Sequence, residues 1–201
     1  MSLLLVILGG TLTVLENAQT NFTREASRSS SNDNVRLAVE SLDREVRSGN
    51  VLYDPTTENY SAGDVAPGYS VRVYTQSDFP TRGEARCIQW RVTSDGKLQT
   101  RNWSKNWQNS PSTLVTGWRT VASGITNRKD GVPAFSLPSG VTNLLNVDIR
   151  ADDDSTLGAT VEVKEAVSGR NAVFYPGNQD CGPVTPDPSL SGVGGSKVPP
   201  Y

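Results

Sequence analysis

This chain has no histidine. That absence removes Ser-His-Asp and Cys-His nucleophilic arrangements and the commonest zinc ligand. Any enzymatic chemistry would have to rest on carboxylates, Lys or Tyr. Cysteine is almost as scarce: Cys87 and Cys181 are the only two, and they form no CxxC, which argues against a metal knuckle. Apolar residues make up 35% of the chain and aromatics 7%, below the usual apolar share, so the chain can build one modest core with long loops. The formal charge is -2, too balanced to draw the chain to nucleic acid or to anionic lipid. The greasy start "MSLLLVILGGTLTVL" lacks a basic flank before it and a small-x-small site after it, so it does not read as a secretory signal. By itself it falls short of the roughly 20 apolar residues a membrane span needs, a deficit that roughly seven to ten further apolar residues upstream would repair.

What is present falls into consecutive parts. At 201 residues, one domain with an extra element is the natural size. Residues 1–15 are apolar, with Leu3, Leu4, Leu5, Val6, Ile7, Leu8, Leu12, Val14 and Leu15 carrying the run. Residues 16–48 continue with a polar stretch, "ENAQTNFTREASRSSSNDN", and then the amphipathic "VRLAVESLDREVRS". Val35, Val39, Leu42 and Val46 follow a 4-3-4 spacing and so share one stripe of a helix. Glu40 with Arg44 and Asp43 with Arg47 are i,i+4 pairs with the acid first, as on a solvated helix face. Gly49 ends the pattern in the manner of a C-cap glycine. No strong breaker lies between Gly10 and Gly49, so one helix of about 45 residues, about 68 Å long, is expected. The Gly9-Gly10 pair and Ser29-Ser30-Ser31-Asn32 favour a bend or local melting. Such a helix cannot bury its whole length in a domain of this size, so its N-terminal part must project.

From residue 49 to 180 the period changes to two. Tyr69, Val71 and Val73 alternate, and "RCIQWRVTSDGKLQTR" reads as a hairpin turned at Asp95-Gly96 with Ile88, Trp90 and Val92 on one face. Val121 with Ile125 is expected to point inward from a further strand; Leu145, Val147 and Ile149, and then Val161 and Val163, mark two more. Five or six strands close in sequence predict an antiparallel sheet. Residues 181–201 form a tail rich in Pro, Gly and Ser. Cys87 and Cys181 pair as a disulfide if the chain is exported, closing a loop of roughly 95 residues and stabilising the fold by about 4–5 kcal/mol. Two buried free thiols are the alternative.

The chemical motifs are weak. Asp152, Asp153 and Asp154 in "ADDDSTLG" suit a hard cation at a turn, but the EF-hand spacing is absent, and a solvated turn accounts for them. "SGVGGSKV" imitates a phosphate loop without the Ser/Thr after Lys197 or a preceding strand. Trp103 and Trp107 beside Arg101 and Lys105 could stack on a ligand; packing on the sheet or on a neighbouring subunit explains them as well. Glu58, Asp64, Asp78 and Glu84 lie in separate segments without a matched acid–base partner. No catalytic, cofactor or metal residues are assigned, and the chain reads as non-enzymatic.

The order of these parts resembles type IV pilins and pseudopilins. "DNVRLAVESLDREVRSGNVLY" is similar to the second half of the N-terminal helix in J-type pseudopilins of type II secretion and W-type minor pilins. "GWRTVASGITN", "NVDIRAD" and "VKEAVSGRN" are similar to their later strands, and "CIQWRVTSDGKLQTRNW" to exported pilin-like proteins. The family begins with a leader ending in Gly, then Phe or Met, with a Glu at the fifth mature position. None of these is here, so the resemblance is to an N-terminally truncated member, its start either placed at an internal Met or trimmed away. The resemblance implies an α+β fold, with a long N-terminal helix packed on an antiparallel β head. It also implies a minor subunit that primes or caps assembly of a pilus or pseudopilus. Its partners would be other pilin-like subunits, the cytoplasmic membrane before assembly, and a leader peptidase acting on the precursor. Its place would be the cell envelope, with the head outside the cytoplasm and the subunit at the filament tip. No cofactor and no nucleic acid enter this reading. An exported adhesin or DNA-uptake module using the Trp103–Trp107 region, and a secreted β-domain with a cleaved signal, are the rival readings.

Overall fold

The computed structural model describes residues 2–60, 63–77, 84–104, 107, 114–141, 143–152, 160–169 and 181. Its class is α+β. One helix, α1 (Ser2–Ser48), precedes two antiparallel sheets. The first sheet follows chain order: β1 (Gly49–Leu52), β2 (Ser70–Ser77), β3 (Glu84–Val92), β4 (Lys97–Ser104) and β5 (Arg119–Ser123). A short helix, α2 (Asn127–Asp130), leads to the second sheet, which holds β6 (Phe135–Ser136), β7 (Leu144–Asp152) and β8 (Thr160–Ser168).

α1 runs without interruption through Gly9-Gly10 and through Ser29–Asn32, where the sequence favours a bend. A glycine costs a helix only about 1 kcal/mol relative to Ala. Gly49 ends α1 differently from the expectation of a left-handed cap, because its φ is not positive. It is required by close approach instead: a Cβ there would collide with the Val73 side chain on the neighbouring strand.

The C-terminal part of α1 is the spine of the core. Val35, Ala38, Val39, Leu42 and Val46 are at most 3% exposed, and α1 packs on β1, β2 and β5 of the first sheet and on β7 and β8 of the second. Each buried Val or Leu there contributes about 1.5–3 kcal/mol over an exposed one. From the sheets come Val71, Val73, Trp90, Val92, Leu98, Leu145, Val147 and Ile149, all buried in the same cluster. The Trp90 indole N–H, in the middle of this apolar layer, donates to the Glu45 carboxylate. That satisfies a donor that would otherwise be stranded.

The β3–β4 hairpin turns at Asp95-Gly96. Gly96 has φ 74°, and a Cβ would stand 2.8 Å from the Ile125 carbonyl oxygen, so only glycine fits.

Two details differ from the sequence expectation. The strands form two sheets, not one: just beyond β5 the chain meets β7 at the Ile125–Ala151 bridge. Backbone bonds Thr126 N to Arg150 O and Asp152 N to Gly124 O, both 2.8 Å, close that corner. On β5, a bulge between Leu98 and Gln99 of the neighbouring strand shifts the register. The extra residue, Val121, is half-buried and still packs against the core, and Ala122 beside it is buried.

Candidate functional site

Two regions hold side chains that the fold alone does not account for. The first is the N-terminal part of α1. Every residue from Gly9 to Thr23 is exposed. Leu12 is 53% accessible, Leu15 54%, Val14 70% and Phe22 80%. The head-facing positions Val35, Val39, Leu42 and Val46, by contrast, are almost wholly covered. Leu3, Leu4, Leu5, Val6, Ile7 and Leu8 belong to the helix, with side chains outside the described set. No helix among the described residues is long and apolar enough to cross a membrane.

The second region is the face of the first sheet that points away from α1. Strand alternation brings Arg72 of β2, Gln89 of β3 and Arg101 of β4 side by side there, through the register pairs Arg72–Gln89 and Gln89–Arg101. All three are buried, and Glu58 above them has no exposure at all. Arg72 Nε donates to Glu58 Oε1 at 2.6 Å, and Gln89 Nε2 donates to Glu58 Oε2 at 3.2 Å. Arg101 donates twice to Gln89 Oε1, at 3.1 and 2.9 Å. Burial pushes the Glu58 carboxyl above its ordinary range, and the Arg72 charge and hydrogen bond pull it back only in part.

A covalent staple borders this cluster. Cys87 and Cys181 form a disulfide with Cα atoms 5.5 Å apart. Arg72 Nη1 also donates to the Cys181 carbonyl, and the Cys181 N–H donates to the Tyr53 hydroxyl at 3.2 Å. The Arg72 guanidinium sits 4.5 Å from the Tyr53 ring centroid. One arginine therefore ties together the buried acid, an aromatic ring and the backbone beside the staple.

The residues singled out by sequence spread differently from a ligand platform. Trp103 is 1% exposed and packs on the disulfide, with Trp107 partly buried against the same cluster. Their indole N–H groups find no acceptor. Arg101 is 3% exposed and stacks 4.2 Å from the Trp118 centroid. Lys105, Asp78, Asp153, Asp154 and the tail motif at 191–198 lie outside the described residues. Of the separate carboxylates, Glu58 is the buried acid just described. Asp64 holds a turn instead: it accepts from Ser94 N at 2.7 Å and Arg128 Nη1 at 2.6 Å. The two do not converge. On β7 and β8, Asp148, Arg150, Glu162 and Lys164 form a partly exposed ion-pair network.

Spacing alone missed the Glu58–Arg72–Gln89–Arg101 cluster. The turn signal alone was not enough: a two-residue turn at Asp95-Gly96 would set Gln89 opposite Asn102, whereas the observed three-residue loop, Ser94 to Gly96 with Thr93 bonded to Lys97, sets it opposite Arg101. The arrangement orders the outer sheet face and has no opening toward solvent at its acid, so it does not supply a general acid or base to a substrate. Among the described residues no group of Cys, Asp and Glu is placed to hold a metal ion. No family model, no curated protein and no solved structure matches this chain.

Proposed function

We propose that this chain is a non-enzymatic filament subunit, a minor pilin or pseudopilin that primes or caps assembly. One observation carries the reading: a single helix buries Val35, Ala38, Val39, Leu42 and Val46 in the head and leaves Leu12, Val14, Leu15 and Phe22 uncovered. A monomer gains nothing from exposing Leu12, Val14, Leu15 and Phe22, whereas a subunit that packs helix on helix removes them from water. The disulfide suits an extracytoplasmic head. The order of helix, sheet and motifs resembles pilins, and from that resemblance come the filament tip, the other pilin-like subunits as partners, the leader peptidase and the cytoplasmic membrane as a holding place. The enclosure of Trp103 and Arg101 weighs against the adhesin reading.

The test is to express the chain with and without residues 2–15 in cells making its filament, then to probe the sheared surface fraction for the head. The intact chain should be found in the filament fraction and the shortened chain should be a folded, free head. Equal incorporation of both would end the reading.

A further inference from the structure

The exposed apolar residues of α1 are not scattered. Leu12, Leu15 and Phe22 fall on one side of the helix, within about 80° at 3.6 residues per turn. That side lies about 160° from the Val35–Val46 stripe that holds the head. Leu12, Leu15, Gln19 and Phe22 repeat at 3-4-3, the spacing of the a and d positions of a heptad, and the sequence carries the repeat back to Leu5 and Leu8 and on to Ala26. Around them stand Thr13, Glu16, Asn17, Thr20, Asn21 and Thr23, with Val14 the one large apolar side chain off the seam between Gly9 and Thr23. Leu37, 62% exposed, extends the uncovered side to the level of the head.

We propose that this seam pairs with the same seam of a second copy of the chain, parallel and in register, with the two heads on the outside. Three observations select that occupant. From Gly9 to Thr23 the seam is narrow and, Val14 apart, flanked by polar residues, which fits a helix partner there; apolar residues surround the helix, as a lipid surface requires, only in the run from Leu3 to Leu8. Gln19 stands at an a position, where only an identical, in-register copy brings it against another Gln19 able to pair its amide; a single polar a residue sets register in this way. At the flanking positions a parallel pair sets Thr11 beside Glu16 and Ala18 beside Thr23, so no like charges meet. Because the seam faces away from the head stripe, the heads do not obstruct the pair. The proposal rests on the filament-subunit reading and names the first contact that such a subunit makes.

Both cysteines are tied in one disulfide and none is free, so one added thiol reports cleanly. The full chain is purified as Gln19→Cys and, with the thiol off the seam, as Asn17→Cys. Mild oxidation should give a covalent dimer of Gln19→Cys and little of Asn17→Cys. In sedimentation, the unaltered chain should form a reversible dimer, and Phe22→Asp should raise its dissociation constant at least tenfold with the thermal transition of the head unchanged. Equal cross-linking at both positions, none at either, or a monomer at every concentration would overturn the pair. Binding to phosphatidylcholine or phosphatidylglycerol vesicles in place of self-association would overturn it too, and assign the seam to lipid. A monomer that still enters filaments removes the pair and keeps the subunit reading; a dimer that never enters them does the opposite.

Discussion

The two halves of α1 share one backbone and have opposite surroundings. Val35, Val39, Leu42 and Val46 are sealed between the helix and two sheets. Leu12, Leu15 and Phe22 stand in the open. Hydrophobicity alone does not separate them, since both sets are apolar and both follow heptad-like spacing. Packing density does: one set belongs to the fold, and the other has no part in holding the head together. The head should therefore be indifferent to the first half of its own helix.

The largest expected effect breaks the buried half. Leu42→Asp places a charge between α1 and the sheets with no partner, and should abolish the cooperative thermal transition of the head. Leu12→Asp, the same chemical change on the open half, should move stability by no more than about 0.5 kcal/mol. If calorimetry gave both variants the same transition, the division of the helix would be wrong.

Next comes the far side of the first sheet. Arg72→Ala leaves the Glu58 carboxylate buried and unpaired and frees the Cys181 carbonyl. It should cost about 3–5 kcal/mol by denaturant unfolding. Glu58→Gln retains a hydrogen-bonding group of the same shape and should cost less than Arg72→Ala. An Arg72→Ala protein as stable as the parent would show that this polar cluster does not anchor the staple.

The smallest effect is a pH dependence. Burial raises the Glu45 carboxyl above its ordinary range, with the Trp90 hydrogen bond acting in the opposite sense. A raised acid in the folded state binds its proton more readily than in the unfolded chain. Its stabilising contribution is therefore complete below the unfolded pKa and is lost as pH rises through the folded one. Lowering the pH from about 7 towards about 4.5 should thus stabilise the parent relative to Glu45→Gln. Exposed Asp95 and Glu162 work the other way, held below their ordinary range by Lys97 and Lys164. They are common to both proteins and cancel in the comparison. A parallel pair of stability curves would show that Glu45 is not perturbed.

Much of the local structure was legible from spacing. The 4-3-4 stripe located the buried side of α1, and Asp95-Gly96 located the β3–β4 turn. Leu145, Val147 and Ile149 pointed inward as their alternation required. Long-range relations were not legible. The corner between the two sheets is built from the Ile125–Ala151 bridge and the backbone bonds beside it, and no short motif encodes it. The bulge on β5 added Ala122 to the core and left Val121, its extra residue, partly buried against it. Ala38 is wholly buried, but alanine carries too little hydropathy to be singled out. Glu58 is buried on the outer face of the first sheet because its hydrogen-bond partners Arg72 and Gln89 arrive from two different strands, and a polar residue in a loop-like segment gives no local sign of that.

The disulfide and the polar cluster sit on the face of the first sheet opposite α1. The head is thus secured on one face by apolar contact with the helix and on the other by a covalent and charged clasp. Neither device involves the described residues Gly9 to Thr23 of α1. That leaves the exposed seam available for another molecule at no cost to folding.

The most direct measurement is the thermal unfolding, by calorimetry, of the chain lacking residues 2–23 beside the full chain. The account predicts one cooperative transition in each, with midpoints within about 2 °C, because a change below about 0.5 kcal/mol moves a domain of this size by no more than that. Loss of the cooperative transition in the shortened chain would contradict it, and would mean that the open half of α1 is part of the fold.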